Sequence, residues 1–162
     1  MAIPLPDPPL TDGVVRLRPW GEDVGDAAAL AAAWADPEIQ KWTSVPVRRT
    51  EADAAEWIAG VTARRLRSVA LDLVISPAAA DDPAVLGEVG FVTMLGGPAR
   101  AEMGWWVGAA HRRQGIASRA VGLFAAWARL TLEFELFAEV DPDNPASIWV
   151  AESAGLRLRL KS

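Results

Sequence analysis

The chain is 162 residues long, with 16 Lys and Arg against 21 Asp and Glu, and its formal net charge is −5. That length fits one domain, and 51% hydrophobic with 23% charged residues gives it material for a core rather than global disorder. With no Cys, no Tyr and one His, it has no disulfide, no thiolate nucleophile, no Cys-based zinc site, no multi-histidine metal centre and no phenol for catalysis, and its acidic balance argues against a nucleic-acid partner.

Pro4, Pro6, Pro8 and Pro9 fix φ and remove backbone donors, so residues 1–13 read as an extended proline-rich arm ahead of one domain over 14–162. The arm lacks a basic start and an apolar signal core, and the longest apolar run, residues 27–35, is too short to span a bilayer. A cytoplasmic protein without a membrane partner is expected.

Val15-Arg16-Leu17-Arg18 alternates apolar with charged before Pro19 and predicts a strand. Val24, Ala27, Ala28, Ala31 and Trp34 predict a helix over residues 23–35, closed by Pro37, with Trp34 in the core. Thr50, three residues before Asp53, is placed to cap a helix with the stripe Ala54, Trp57, Ile58 and Val61; its end carries Arg64, Arg65 and Arg67. Residues 69–75, 85–95 and 101–107 predict three strands of an antiparallel meander, with the Gly96-Gly97-Pro98 turn before the last. After Gly115, the residues Ile116, Ala120, Phe124 and Trp127 share one face of a long helix. Residues 136–140 predict a strand, 146–153 a helix stopped by Gly155, and 156–160 a last alternating strand. This order predicts an α/β domain with a mixed, mostly antiparallel sheet flanked by helices.

The stretch from Gly104 to Ser118 brings a strand end, a short basic loop and a helix start into succession. Free N–H groups and the positive dipole end of that helix, with glycine beside them, suit a pyrophosphate, and Arg112 and Arg113 add charge. Neither the P-loop spacing nor Gly-x-Gly-x-x-Gly occurs, which disfavours nucleotide hydrolysis and dinucleotide binding. Arg48-Arg49 and the Arg64, Arg65, Arg67 cluster read as solvated faces or as groups approaching a ligand's phosphates rather than a nucleic-acid surface, and His111 as a loop residue, exposed or near phosphate. Trp105 and Trp106 point to opposite faces of one strand, so one is expected in the core and the other on a pocket wall.

Arg112-Arg113-Gln114-Gly115-Ile116-Ala117 fits the pattern Gln/Arg-x-x-Gly-x-Gly/Ala, with Glu102-Met103-Gly104-Trp105-Trp106-Val107 before it and Asn144-Pro145-Ala146-Ser147 and Ala151-Glu152-Ser153-Ala154-Gly155-Leu156 after it. In this combination the chain resembles the GNAT superfamily of acyl-CoA-dependent N-acetyltransferases. Val14-Val15-Arg16-Leu17-Arg18-Pro19-Trp20 and Gly87-Glu88-Val89-Gly90 resemble its RimJ/RimL-like branch, which acetylates ribosomal-protein N-termini. The resemblance implies acetyl-CoA as co-substrate and a primary amine as acceptor, foremost a protein or peptide N-terminus, attacking directly in a ternary complex. It implies that the backbone around Val107 receives the pantetheine and that Arg112, Arg113, Gln114, Gly115, Ile116, Ala117 and Ser118 surround the pyrophosphate. Asn144 and Ser147 would lie along the pantetheine arm.

Transfer to an amine needs a base for the nucleophile and a proton for the leaving thiolate. Family members often use tyrosine for the second task; here Ser147 is the candidate, with a bound water competing. Glu88 and Glu102 are the candidate bases, on adjacent predicted strands. Asp72 is a third, and also reads as a solvent-facing residue. A non-catalytic acyl-CoA-binding module and a small-amine or antibiotic acetyltransferase are the alternative readings. Two features depart from the branch: Ser118-Arg119 stands where Thr-Glu is usual, and residues 156–160 are not followed by the family's final strand. An open edge there predicts pairing with a second copy in a homodimer.

Overall fold

Alternation along the chain places six strands where the sequence implies a meander and a late strand-helix-strand unit, and a computed structural model, describing residues 2–97 and 99–162, assembles them into one sheet. Met1, in the arm, and Pro98, in the expected glycine turn, lie outside the described residues. Strands β1 (Val15–Pro19), β2 (Ala70–Pro77), β3 (Gly87–Thr93) and β4 (Arg100–Val107) pair antiparallel in sequence order. β5 (Glu135–Val140) and β6 (Arg157–Leu160) then add in parallel. A parallel neighbour needs a crossover; the long helix α5 (Ile116–Leu132) and the short α6 (Pro145–Ser153) supply the two.

One face of the sheet is apolar. Val15, Leu17, Leu71, Leu73, Ile75, Val89, Phe91, Ala101 and Met103 bury against Ala120, Val121, Phe124, Ala125 and Ala128 of α5, and Phe91 stacks on Phe124 at 5.5 Å. The expected stripe of α5 is thus the main core. On the other face Val74 and Trp20, which follows β1, meet a smaller core of Leu30, Trp34, Ala54 and Val61, carried by α1 (Asp26–Trp34), α3 (Glu51–Ala59) and α4 (Val61–Leu66). Thr50 and Asp53 form the expected cap of α3, and Gly155, at φ +70°, follows α6.

Three expectations need correction. The first helix begins at Asp26, not Asp23, and Val24 is 99% exposed. Asp26 is instead buried and receives both ends of the Arg18 guanidinium, at 2.8 and 2.9 Å, together with the Gly21 N–H. Pro37 does not close the segment: it opens a further helix, α2 (Pro37–Trp42), with Asp36 as its cap. Proline suits that first position because no N–H is needed there. The helix after Thr50 is divided at Gly60 into α3 and α4.

The sheet parts at its centre. β4 pairs with β3 along its length, from Thr93 opposite Ala101 to Gly87 opposite Val107. With β5 it pairs only through Arg100, Ala101 and Glu102. Beyond Glu102 the two strands diverge, and the N-terminus of α5 follows the loop at the far end of β4.

Arg18 also donates to Ser76 and to the Pro83 carbonyl, so its pair with Asp26 ties β1, β2, α1 and the β2–β3 loop together. Burial alone would raise the Asp26 carboxyl; the hydrogen bonds from Arg18 and Gly21 outweigh it and hold it below the usual range. The stability this adds is present above about pH 4 and is lost as the pH falls below that. Asp26→Ala leaves a buried guanidinium unpaired and should cost about 3–5 kcal/mol, measured by urea unfolding at pH 7.

Candidate active site

The parted strands open a cavity of about 680 Å³ against α2, α6 and the loop that leads into α5. Gly115 takes φ +74°, which turns the chain into α5, and no side chain caps that helix. A Cβ at Gly115 would meet nothing within 4 Å, so the space before the first-turn N–H groups is open. Arg113, also at positive φ, and Arg112 stand beside it. Uncapped N–H groups, a helix dipole and two guanidinium groups make this end of the cavity a receptor for a multiply charged anion.

Of the residues expected at a pyrophosphate, Arg112, Arg113, Gly115, Ile116, Ala117 and Ser118 line this cavity, as do Val107, Asn144 and Ser147. Gln114 does not: it is exposed, and its amide reaches back to the Ala110 carbonyl at 3.5 Å. Asn144 caps α6 by accepting the Ser147 N–H at 3.2 Å. Arg112 is more engaged than the sequence suggests, donating to the Val107 carbonyl at 3.1 Å and to Asp36 at 2.7 Å. Arg119 bonds Asp12 of the arm at 2.8 Å. Arg64 lies over the Trp57 ring and Arg65 donates to the Ile3 carbonyl, so these two form no separate basic patch.

On the opposite face of the sheet a second cavity of about 440 Å³ lies beneath α1 and α3. Its floor follows from register: Glu88 faces Trp106, Gly90 faces both Asp72 and Gly104, and Val92 faces Glu102. Three carboxylates therefore share one face, with glycines between them. A Cβ on Gly90 would come within 2.7 Å of the Asp72 carboxylate and 2.8 Å of the Leu71 carbonyl. Asp72 lines this cavity with Glu88 and Glu102, correcting its alternative reading as a solvent-facing residue.

The three acids differ in state. Glu88 accepts the indole N–H of Trp20 at 2.8 Å and of Trp106 at 3.1 Å, one on each oxygen. Burial and the Asp72 charge nevertheless push it up to about 8, against the two indoles and Arg64. Burial pushes Asp72 up to about 6, with Arg64 opposing. Glu102 is raised by burial and by Glu139, with Lys161 and Arg159 opposing.

Ile39, Thr43, Trp105 and Trp106 line both cavities, which therefore meet there. Trp105 packs against the main core and Trp106 against the smaller one, as their opposite directions on β4 require. Sequence reasoning missed α2, which brings Ile39 and Thr43 to this junction. The signal was present in Asp36-Pro37, a cap followed by a first-turn proline.

The sequence pattern of the acetyltransferase (GNAT) domain family matches residues 15–157. The chain belongs to the GNAT acetyltransferase family. It is 28% identical over 132 residues to an uncharacterized N-acetyltransferase, p20, of Bacillus licheniformis, covering 81% of this chain and 73% of that one. Its fold is that of Mycobacterium smegmatis RimJ in complex with CoA-disulfide, with a TM-score of 0.71 and 24% identity over 89% of this chain and 71% of that one. It is also that of Vibrio cholerae spermidine N-acetyltransferase in complex with CoA and spermine, with a TM-score of 0.72 and 14% identity, covering 89% and 81%. In this acetyltransferase the three carboxylates stand on β2, β3 and β4, and both cavities border β4.

Glu88 yields a stability prediction whose sign follows from its raised pKa. Folding favours its protonated form, so its contribution is complete below about pH 4.5 and is lost as the pH rises through about 8. Glu88→Gln should therefore flatten the fall in Tm between pH 5 and pH 9, with the variant several degrees above the parent's curve at the alkaline end once both are matched at pH 5. Differential scanning fluorimetry across that range reads it.

Proposed function

We propose that this acetyltransferase moves the acetyl group of acetyl-CoA onto a primary amine, foremost the N-terminus of a protein or peptide, by direct attack with both substrates bound. The observation that carries the reading is the meeting of the two cavities at Trp105 and Trp106, one receptive to a polyanion and the other lined by carboxylates. Acetyl-CoA supplies a thioester, an acyl carbon with a thiolate leaving group. The residues present fit it: the uncapped start of α5 and Arg113 receive the diphosphate, while the β4 edge beyond Glu102 offers backbone groups to the pantetheine.

Glu102 is the better base of the two candidates. Both oxygens of Glu88 are engaged by indoles, and with a pKa near 8 it is mostly protonated at neutral pH. Glu102 accepts no hydrogen bond from another described residue and sits on β4 where the strands part. It takes the proton of the amine, directly or through one water, as nitrogen bonds to the acyl carbon. The C–S bond breaks, and Ser147 passes a proton to the departing sulfur while regaining one from solvent, to which Glu102 releases the proton it took. Asp72, deeper in the cavity and ionised at neutral pH, favours an acceptor that arrives as a cation.

Exposed Gly104 leaves the carboxylate cavity open along β4, so a polypeptide can trail from its first residue. That supports a peptide N-terminus over a compact amine, as does the resemblance of residues 14–20 and 87–90 to the RimJ/RimL-like branch. A cytoplasmic setting and a homodimer joined along the free outer edge of β6 belong to the same proposal. No helix of the described residues is long and apolar enough to cross a membrane.

Gly115→Asp puts a negative side chain against the diphosphate and should abolish acetyl-CoA binding in isothermal titration. Normal binding by that variant would overturn the assignment. Glu102→Gln should lower kcat by about a hundredfold, and Ser147→Ala by less, with acetyl-CoA affinity preserved in both. Mass spectrometry of a tetrapeptide panel beside spermidine would identify the acceptor class, and acetylation of spermidine alone would overturn the peptide reading.

A further inference from the structure

α2 is six residues long and buries one side chain, Ile39. A helix this short has little stability of its own, so its position depends on what ties it down. The Gln40 side-chain amide ties it to the Trp34 carbonyl at 2.8 Å, and two further ties at its N-terminus run through Asp36. One carboxylate oxygen accepts the Glu38 N–H at 2.9 Å and caps the helix. The other accepts the Arg112 guanidinium at 2.7 Å, across 76 residues of chain. The pair is shielded, with side-chain exposures of 15% for Asp36 and 31% for Arg112, and Arg112 is itself fixed to the end of β4 through the Val107 carbonyl.

Ile39, within α2, and Thr43, at its end, line both cavities. A guanidinium carries five N–H donors. Here Nε serves Val107 and one Nη2 hydrogen serves Asp36, leaving three for an anion in the cavity that Arg112 lines. An anion can therefore engage Arg112 without displacing Asp36, and it then immobilises the group that ties the start of α2 to the end of β4.

We propose that Asp36 is a positioning residue that couples occupancy of the phosphate-binding cavity to the wall of the acceptor cavity. Binding of the cofactor tightens α2 through the Arg112–Asp36 pair, and Ile39 and Thr43 then hold the shape that the amine meets. Because coupling between sites is reciprocal, cofactor and acceptor each strengthen the binding of the other. The inference rests on the assignment of the larger cavity to acetyl-CoA.

Hydrogen exchange of the full chain with and without CoA tests it, because it needs no acceptor. The Gln40 and Thr43 amides, bonded to the Asp36 and Ile39 carbonyls, should exchange at least threefold more slowly with CoA, alongside protection at the start of α5. Asp36→Asn keeps a capping oxygen but removes the charge. It should bind CoA within about threefold of the parent and still protect α5, while the CoA-dependent protection of α2 is lost. A purely structural cap would alter α2 exchange equally with and without CoA, and that result would overturn the proposal. So would parental protection of α2 in the variant, or protection confined to α5 in the parent. A parent that binds no CoA, by titration and by the absence of protection at α5, would overturn the cofactor assignment and this inference with it.

Discussion

The site depends on β4 keeping one strand partner and relinquishing the other. β3 holds it along seven register pairs, whereas β5 holds it along three. A strand left with one free edge would ordinarily be a liability, because its N–H and C=O groups need partners. Here the edge opens into a cavity that also contains the start of a 17-residue helix. The parallel topology produces this arrangement: α5 must begin at the far end of β4 and return the chain to begin β5 beside Arg100. The helix N-terminus therefore stands at the mouth of the gap, and the backbone donors that suit an anion lie in line with those that suit an amide-containing chain.

Charge is partitioned by the sheet rather than spread over the molecule. The net charge of −5 gives no hint that Arg112, Arg113 and the α5 dipole converge on one cavity while Asp72, Glu88 and Glu102 line another. The two meet at Trp105 and Trp106, and the register that sets the opposite directions of these side chains also fixes Glu88 beside Trp106. Burial keeps the acidic side from carrying three full charges at neutral pH, since Glu88 is held mostly protonated. A cation entering the cavity would lower that pKa and draw the proton off, so the negative charge there grows when its counterpart arrives. Such a site tolerates standing empty better than three bare carboxylates would.

What could be read from the sequence divides along the range of the interactions. The stripe of α5, the turn at Gly115, the Thr50–Asp53 cap and the alternating strands are local patterns, and they were legible. The start of α1 was not, because Val24 fits the helical period while the buried partner of Asp26 lies eight residues earlier, on β1. α2 is too short for a period to emerge. Asp72 looked indifferent because a strand's two faces are equivalent until helices cover one of them. Arg112 was legible as part of the phosphate pattern, but its contact with Asp36 depends on tertiary structure. The assignment of Gln114 followed the pattern as a block, whereas its side chain is exposed and does not line the cavity.

The missing tyrosine fits the energetics of the proposed transfer. A thiol with an ordinary pKa near 8.5 leaves as a thiolate without a large penalty at neutral pH, whereas an α-amine with a pKa of about 8, or an alkylamine nearer 10, must lose a proton before or as it attacks. The greater demand falls on the base and on holding nitrogen against the acyl carbon. Ser147 hydroxyl, a weak acid, suffices for the lesser demand if it is well placed, and Asn144 fixes the turn of α6 that carries it. In the proposed transfer this division lets a chain without phenols keep the chemistry: the greater demand falls on Glu102 of β4 and on the residues proposed to position the amine, rather than on a proton donor to sulfur.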